Sequence, residues 1–166
     1  WLSNTYNDTF YFQHEHLRIQ NKDGSKGWHL SYTYEETQER KVLLVQELMR
    51  YPIDGINLDF LRHPPFVGYD PPLIERFIKE HGQDPRSLAD DDPRWIACRC
   101  APMTAFLRTV RKVVGGRTIS ARVDRRYYLV QGLDIETWLQ EGLVDILIVA
   151  EEGFGGYTFD LRPFVD

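Results

Sequence analysis

The sequence predicts an α/β fold built on a parallel sheet, and three observations carry that prediction. Segments that read as strands and helices alternate along the chain, the order that crossover connections require. Two strand segments, "DGINLDFL" (54–61) and "VDILIVA" (144–150), run apolar without alternation, as strands covered on both faces do. Polar or charged residues gather at the C-terminal end of each strand segment, the edge where α/β folds assemble their sites. Doubly wound sheets and (β/α) barrels both fit this pattern. With 166 residues and 42% hydrophobic content, the chain can build one core and reads as a single domain over 1–166.

The elements follow in order. Residues 1–27 are aromatic and polar without a clean period, with a turn signal at Lys22-Asp23-Gly24-Ser25. "WHLSYTY" (28–34) alternates and reads as a short strand. "EETQERKVLLVQELMRY" (35–51) is a helix, with Glu in its first turns and a stripe of Val42, Val45, Leu48 and Met49; Pro52 ends it. The strand 54–61 is followed by a proline-rich excursion that contains a short helix, "LIERFIKEHG". Residues 94–116 are helical, with Pro102 as a kink or break and Gly115-Gly116 as the stop. A strand over 117–124, a helix over 134–143 capped by Asp134 and the strand 144–150 complete the order.

Composition removes several function classes. The net charge is −5, so there is no basic footprint for nucleic acid. No apolar run approaches the roughly 18 residues that span a bilayer, so no membrane partner is expected. A G-x-G-x-x-G turn, a P-loop and a G-x-S-x-G elbow are all missing from the sequence, which argues against nucleotide-binding and serine-hydrolase readings. Cys98 and Cys100 point in different directions around a helix, so buried thiols are expected, without a disulfide or a shared metal, and the compartment is left open. His14-Glu15-His16 lacks metal-ligand spacing and reads as a solvated loop; Asp90-Asp91-Asp92 reads as a helix-capping turn. No cofactor or metal is expected. The chain opens at Trp1 without Met and stops at "LRPFVD", where a helix looks ready to begin, so it reads as an excerpt of a longer protein.

The strand ends concentrate the chemistry: Tyr32 and Tyr34 on the first, Asp59 with Arg62 and His63 on the second, Asp124 with Arg122 on the third, Glu151 with Glu152 on the fourth. Two carboxyls facing one cleft suit glycosidic hydrolysis, in which one acid protonates the leaving oxygen while the other, ionised, attacks the anomeric carbon or activates water. Asp59 beside Arg62 is expected to stay ionised, and Glu151, at the end of an apolar strand, to be the proton donor, with Asp124 as the alternative. Trp28, Tyr32, Tyr34, Phe66 and Tyr69 are aromatic candidates for sugar stacking.

These residues carry a family resemblance. "YPIDGINLDFLRHP" resembles the "y-x-v-DGI-x-x-D-y-x-R-y-P" signature of the glycosyl-hydrolase-like (β/α)8 barrel family ten. "LSYTYEETQERKVLLVQEL" and "GLDIETWLQEGLVDILIVAEE" resemble that family's flanking strand and helix segments, so the likeness covers residues 28–152. It implies a (β/α)8 barrel of which the chain spans roughly strands three to six, since a whole barrel takes about 250 residues. It aligns Asp59 with the family's strand-end acid, Arg62 with its arginine and Pro64 with its proline, while His63 stands where an aromatic is more usual.

The function expected is a glycoside hydrolase acting on a polysaccharide or cell-wall glycan, with Asp59, Glu151 and Asp124 as catalytic candidates. Arg62, His63, Tyr32, Trp28, Arg122, Glu152 and Tyr69 are the substrate-binding candidates. The alternatives are a carbohydrate-binding barrel without catalysis, and a metal-dependent hydrolase that uses Asp59, His63 and Asp124 as ligands.

Overall fold

The computed structural model describes residues 9–62, 64–151 and 162–164. The amino-terminal part is a short helix α1 (Thr9–Gln13), a single 3-10 turn (Glu15–Leu17), and a hairpin of β1 (Arg18–Gln20) and β2 (Lys26–Leu30). Then come α2 (Glu35–Leu48), β3 (Gly55–Asp59), α3 (Pro71–His81), α4 (Pro93–Val114), β4 (Thr118–Asp124), α5 (Ile135–Gln140) and β5 (Ile146–Ala150). The helices start where local chemistry allows. Pro71 and Pro93 sit in first turns, whose amides have no intrahelical acceptor, and Asp92 and Asp134 accept from the amides of Arg94 and Thr137. Helix α4 runs through Pro102 as one element instead of breaking there.

β3, β4 and β5 form one parallel sheet in chain order, as consecutive crossovers in one direction produce. The expected first strand, 28–34, is corrected in two ways. Its strand portion ends at Leu30, and it pairs antiparallel with β1 instead of joining the parallel sheet. The reason lies in residues 31–33: Ser31 and Thr33 both turn their hydroxyls onto the buried carboxylate of Asp70, at 2.6 and 2.8 Å, and the chain bends into α2. Among the described residues, the sheet therefore has three strands and not four.

Register divides the sheet into two faces, because side chains of paired residues point the same way. Leu58, Ile119, Ala121 and Val123 turn inward and are buried with Phe106, Trp138, Val110 and Phe60 under the helices. Phe60 lies 5.3 Å from the Phe66 ring and 5.5 Å from that of Trp138, whose indole N–H donates to Thr104 Oγ1 at 3.0 Å. The opposite face carries the aligned rows Asn57–Ser120–Ile146 and Asp59–Arg122–Ile148. This face is open: Ile146 is 52% and Ile148 39% exposed. The expectation that β5 is buried on both sides is thus corrected. Its run of apolar residues packs on one face only within the described residues.

Candidate active site

The carboxyl ends of the three parallel strands build the site. Asp59 closes β3 on the open face of the sheet. One of its oxygens accepts the Leu61 amide at 3.1 Å, which fixes the turn out of the strand, and the other meets Arg122 Nη1 at 3.3 Å. Both side chains are about one-third exposed, so the pair is reachable from solvent. Register explains the pairing, since Asp59 and Arg122 are direct neighbours across β3 and β4. Arg122 is thus a guanidinium that the structure sets against Asp59. Arg62, three residues further along, is exposed in the turn that follows.

At the other edge, Glu151 lies directly after β5 and forms an ion pair with Arg125, which extends beyond β4. The backbone helps, as the Arg125 amide donates to Ala150 O at 2.9 Å and so continues the β4–β5 ladder by one step. The Glu151 carboxylate is mostly covered, and its surroundings differ from the apolar ones that the sequence suggests, because a cation is against it. β4 thus supplies an arginine to each side: Arg122 to Asp59 on β3 and Arg125 to Glu151 after β5. Arg125 was invisible at the level of motif. Only the strand register indicates that a residue just past β4 faces the end of β5.

Asp124 does different work. It is 2% exposed, and its Oδ1 accepts from the amides of Arg126 at 2.8 Å and Tyr127 at 3.1 Å. A carboxylate committed to two amides organises the loop that leaves β4, as Asp side chains do in turns.

The aromatic candidates separate sharply. Tyr32 is 1% exposed, its ring edge-on to Phe66 at 6.3 Å and to Phe106 at 4.9 Å, with burial pushing its phenol above its usual range. Phe66 is buried beside it. Tyr69 is also buried and donates its hydroxyl to Asp90 at 2.5 Å; burial, followed by that hydrogen bond, pushes it up to about 12. Trp28 is exposed, but it projects from the β1–β2 hairpin, outside the parallel sheet. His63 and Glu152 lie outside the described residues.

One acid escaped the sequence reading. Asp70 is fully buried and accepts four hydrogen bonds: from the hydroxyls of Ser31 and Thr33, and from the amides of Gly68 and Gln20, both at 2.9 Å. Its flanking prolines made it look like loop punctuation, and nothing local announces partners 50 residues away. Cys98 and Cys100 are free and buried, and burial pushes the Cys100 thiol up to about 12, far from a nucleophile at neutral pH. No three His, Cys, Asp or Glu side chains gather as a cation cluster among the described residues. No helix is long and apolar enough to cross a membrane among them either.

Comparison with known proteins bears on the fold and the family. Among solved structures, a β-galactosidase from the psychrophilic Marinomonas ef1 superposes with a TM-score of 0.66 at 12% identity. The superposition covers 90% of this chain and 29% of that one, so the two share a fold over less than a third of the larger protein. No curated protein sequence matches the chain. The glycosyl hydrolase-like 10 family matches residues 9–151, which include every described element of the sheet, both arginine–carboxylate pairs and the hairpin; the chain belongs to that family.

Proposed function

We propose that the protein is a glycoside hydrolase and that its three parallel strands are consecutive staves of a (β/α)8 barrel. On this reading the helix-covered face is the outside of the barrel, and the open face of Asn57, Ser120 and Ile148 looks into its lumen. That direction of winding, one strand per crossover with the helices on one side, is what a closed barrel requires. Family membership and the fold shared with part of a β-galactosidase support the carbohydrate reading.

The observation that supports the mechanism is a pair of carboxylates at the ends of alternate strands, Asp59 partly exposed and Glu151 mostly covered, each met by an arginine in or just after the strand between. Asp59, against Arg122, is the member that stays ionised and acts on the anomeric carbon or on a water. Glu151 is the second carboxyl: ion-paired with Arg125 it is ionised, and it serves as proton donor only after substrate displaces Arg125 and the carboxylate takes up a proton from water. Catalytic hydrogen bonds commonly rearrange on forming the substrate complex. Asp124 supports the loop between them and is not one of the pair.

The test is Asp59→Asn and Glu151→Gln on a panel of β-linked oligosaccharides that the native protein cleaves. Each should lower kcat by about 10²- to 10⁴-fold, the usual worth of a positioned acid or base, with the melting temperature little changed. Full activity in the Asp59→Asn variant would end the assignment. One observation favours a second reading, a carbohydrate-binding barrel without turnover: both acids are already engaged in ion pairs. Saccharide binding without release of reducing ends by the native protein would identify it.

A further inference from the structure

We propose that Tyr127 is a sugar-stacking platform at the rim of this site, a role that rests on the carbohydrate reading above. Tyr32, Phe66 and Tyr69 are buried, Tyr34 is half-buried as the residue that caps α2, and Trp28 projects from the hairpin outside the parallel sheet, so none of them is an exposed ring on a loop that leaves that sheet. Tyr127 meets the requirement. It follows β4 by three residues, is 53% exposed, and carries the Arg126 guanidinium over its ring at 5.4 Å from the centroid.

The loop that presents it is fixed on both sides. Buried Asp124 accepts the Arg126 and Tyr127 amides, and the Tyr127 carbonyl accepts the Gln131 amide at 2.9 Å. Two residues before Tyr127, Arg125 pairs with Glu151, so one loop carries both the ring and the partner of one of the two acids. More than half of Tyr127 faces water, so part of its ring is not committed to packing. Its face is an electron-rich surface that suits the C–H face of a pyranose, and a stacked cation limits its motion without covering it from both sides. The ligand class is therefore a neutral hexopyranose unit of an oligosaccharide, seated next to the residue whose bond is cut.

The experiment titrates hexasaccharides of β-1,4-linked glucose, N-acetylglucosamine and galactose into the native protein and into Y127A, Y127F and R126A, with binding followed by calorimetry and by the Tyr127 ring resonances in the native protein. Loss of the ring should weaken binding of the preferred hexasaccharide about 10-fold, the range of one good aromatic contact. Y127F should bind within about twofold of native, and R126A should fall between. Unchanged affinity in Y127A, or Tyr127 resonances that ignore saturating ligand, would overturn the proposal; the resonances decide it even if Y127A does not fold. The two readings fail separately. Cleavage that persists with Y127A affinity and KM unchanged sinks the platform alone. Tyr127-dependent binding without cleavage sinks the hydrolase alone, and no binding of any of the three sinks both.

Discussion

Arg122 and Arg125 show how much one strand can do for a site that it does not itself furnish with an acid. Each reaches sideways to a carboxylate on a neighbouring strand. Positioning of this kind matters to rate because a displacement of about 1 Å can cost on the order of 10²-fold. Arg122→Met is therefore expected to lower kcat by about 10- to 100-fold while KM changes less, measured on the same oligosaccharides as the Asp59 variant. Equal kcat in native and variant would reduce the pair to a surface ion pair of little worth. Buried Asp70 predicts the opposite kind of phenotype. Asp70→Ala removes the acceptor for four donors, among them the buried hydroxyl of Ser31 and the half-buried one of Thr33. The expected cost is about 3–5 kcal/mol of stability by chemical denaturation, with any remaining folded fraction still active.

At the scale of elements, the long helices and the parallel strands from residue 35 onward were legible and the residues before them were not. Helices α2, α3 and α4 begin and end within a few residues of where the apolar stripes, prolines and terminal glycines put them, because those signals act locally. "WHLSYTY" misled because alternation reports a half-buried strand and says nothing about its partner; the partner, β1, is only three residues long and carries no periodic signal. "ILIVA" misled for a related reason, as apolar residues on the open face look the same in sequence as residues under a helix. Close packing between strands gives a test of register. A Cβ at Gly55 would lie 2.2 Å from Thr118 O, so Gly55→Ala must push β3 away from β4. A loss of about 1–3 kcal/mol is expected, read as a lower denaturation midpoint. The cap of α4 supplies a test by pH. Asp92 titrates well below the usual carboxylate range, at about 2, chiefly through its hydrogen bonds to the Arg94 side chain. A depressed folded-state value contributes stability that is complete above the ordinary carboxylate value near 4 and is lost as pH falls toward 2. Thermal melts between pH 5 and 2 should decline less steeply in Asp92→Asn than in the native protein.

For the whole molecule, the larger of two buried clusters among the described residues sits under one face of the three-stranded parallel sheet, a smaller one of Tyr11, Leu17 and Leu30 lies at the hairpin, and the candidate acids lie at the strands' carboxyl ends. The sequence carried this division in its strand-end acids, and the family signature named the central one, Asp59. It could not distinguish a carboxylate that faces solvent from one that ties a turn, because Asp59 and Asp124 both accept amides two or three residues on, and what separates Asp59 from Asp70 is partners distant along the chain, Arg122 for the one and Gln20, Ser31 and Thr33 for the other. The Asp70 junction also bears on the site from a distance. Its carboxylate joins the β1–β2 hairpin, the bend at 31–33 and Gly68, while Tyr32 donates its amide to Phe66. The segment that follows Asp59 and Arg62 is therefore stapled at its far end, Gly68, to the hairpin. Hydrogen–deuterium exchange should find the amides of Gln20, Tyr32, Gly68 and Tyr69 opening together as one protected unit, and Asp70→Asn should release them together, loosening the rim without touching either acid.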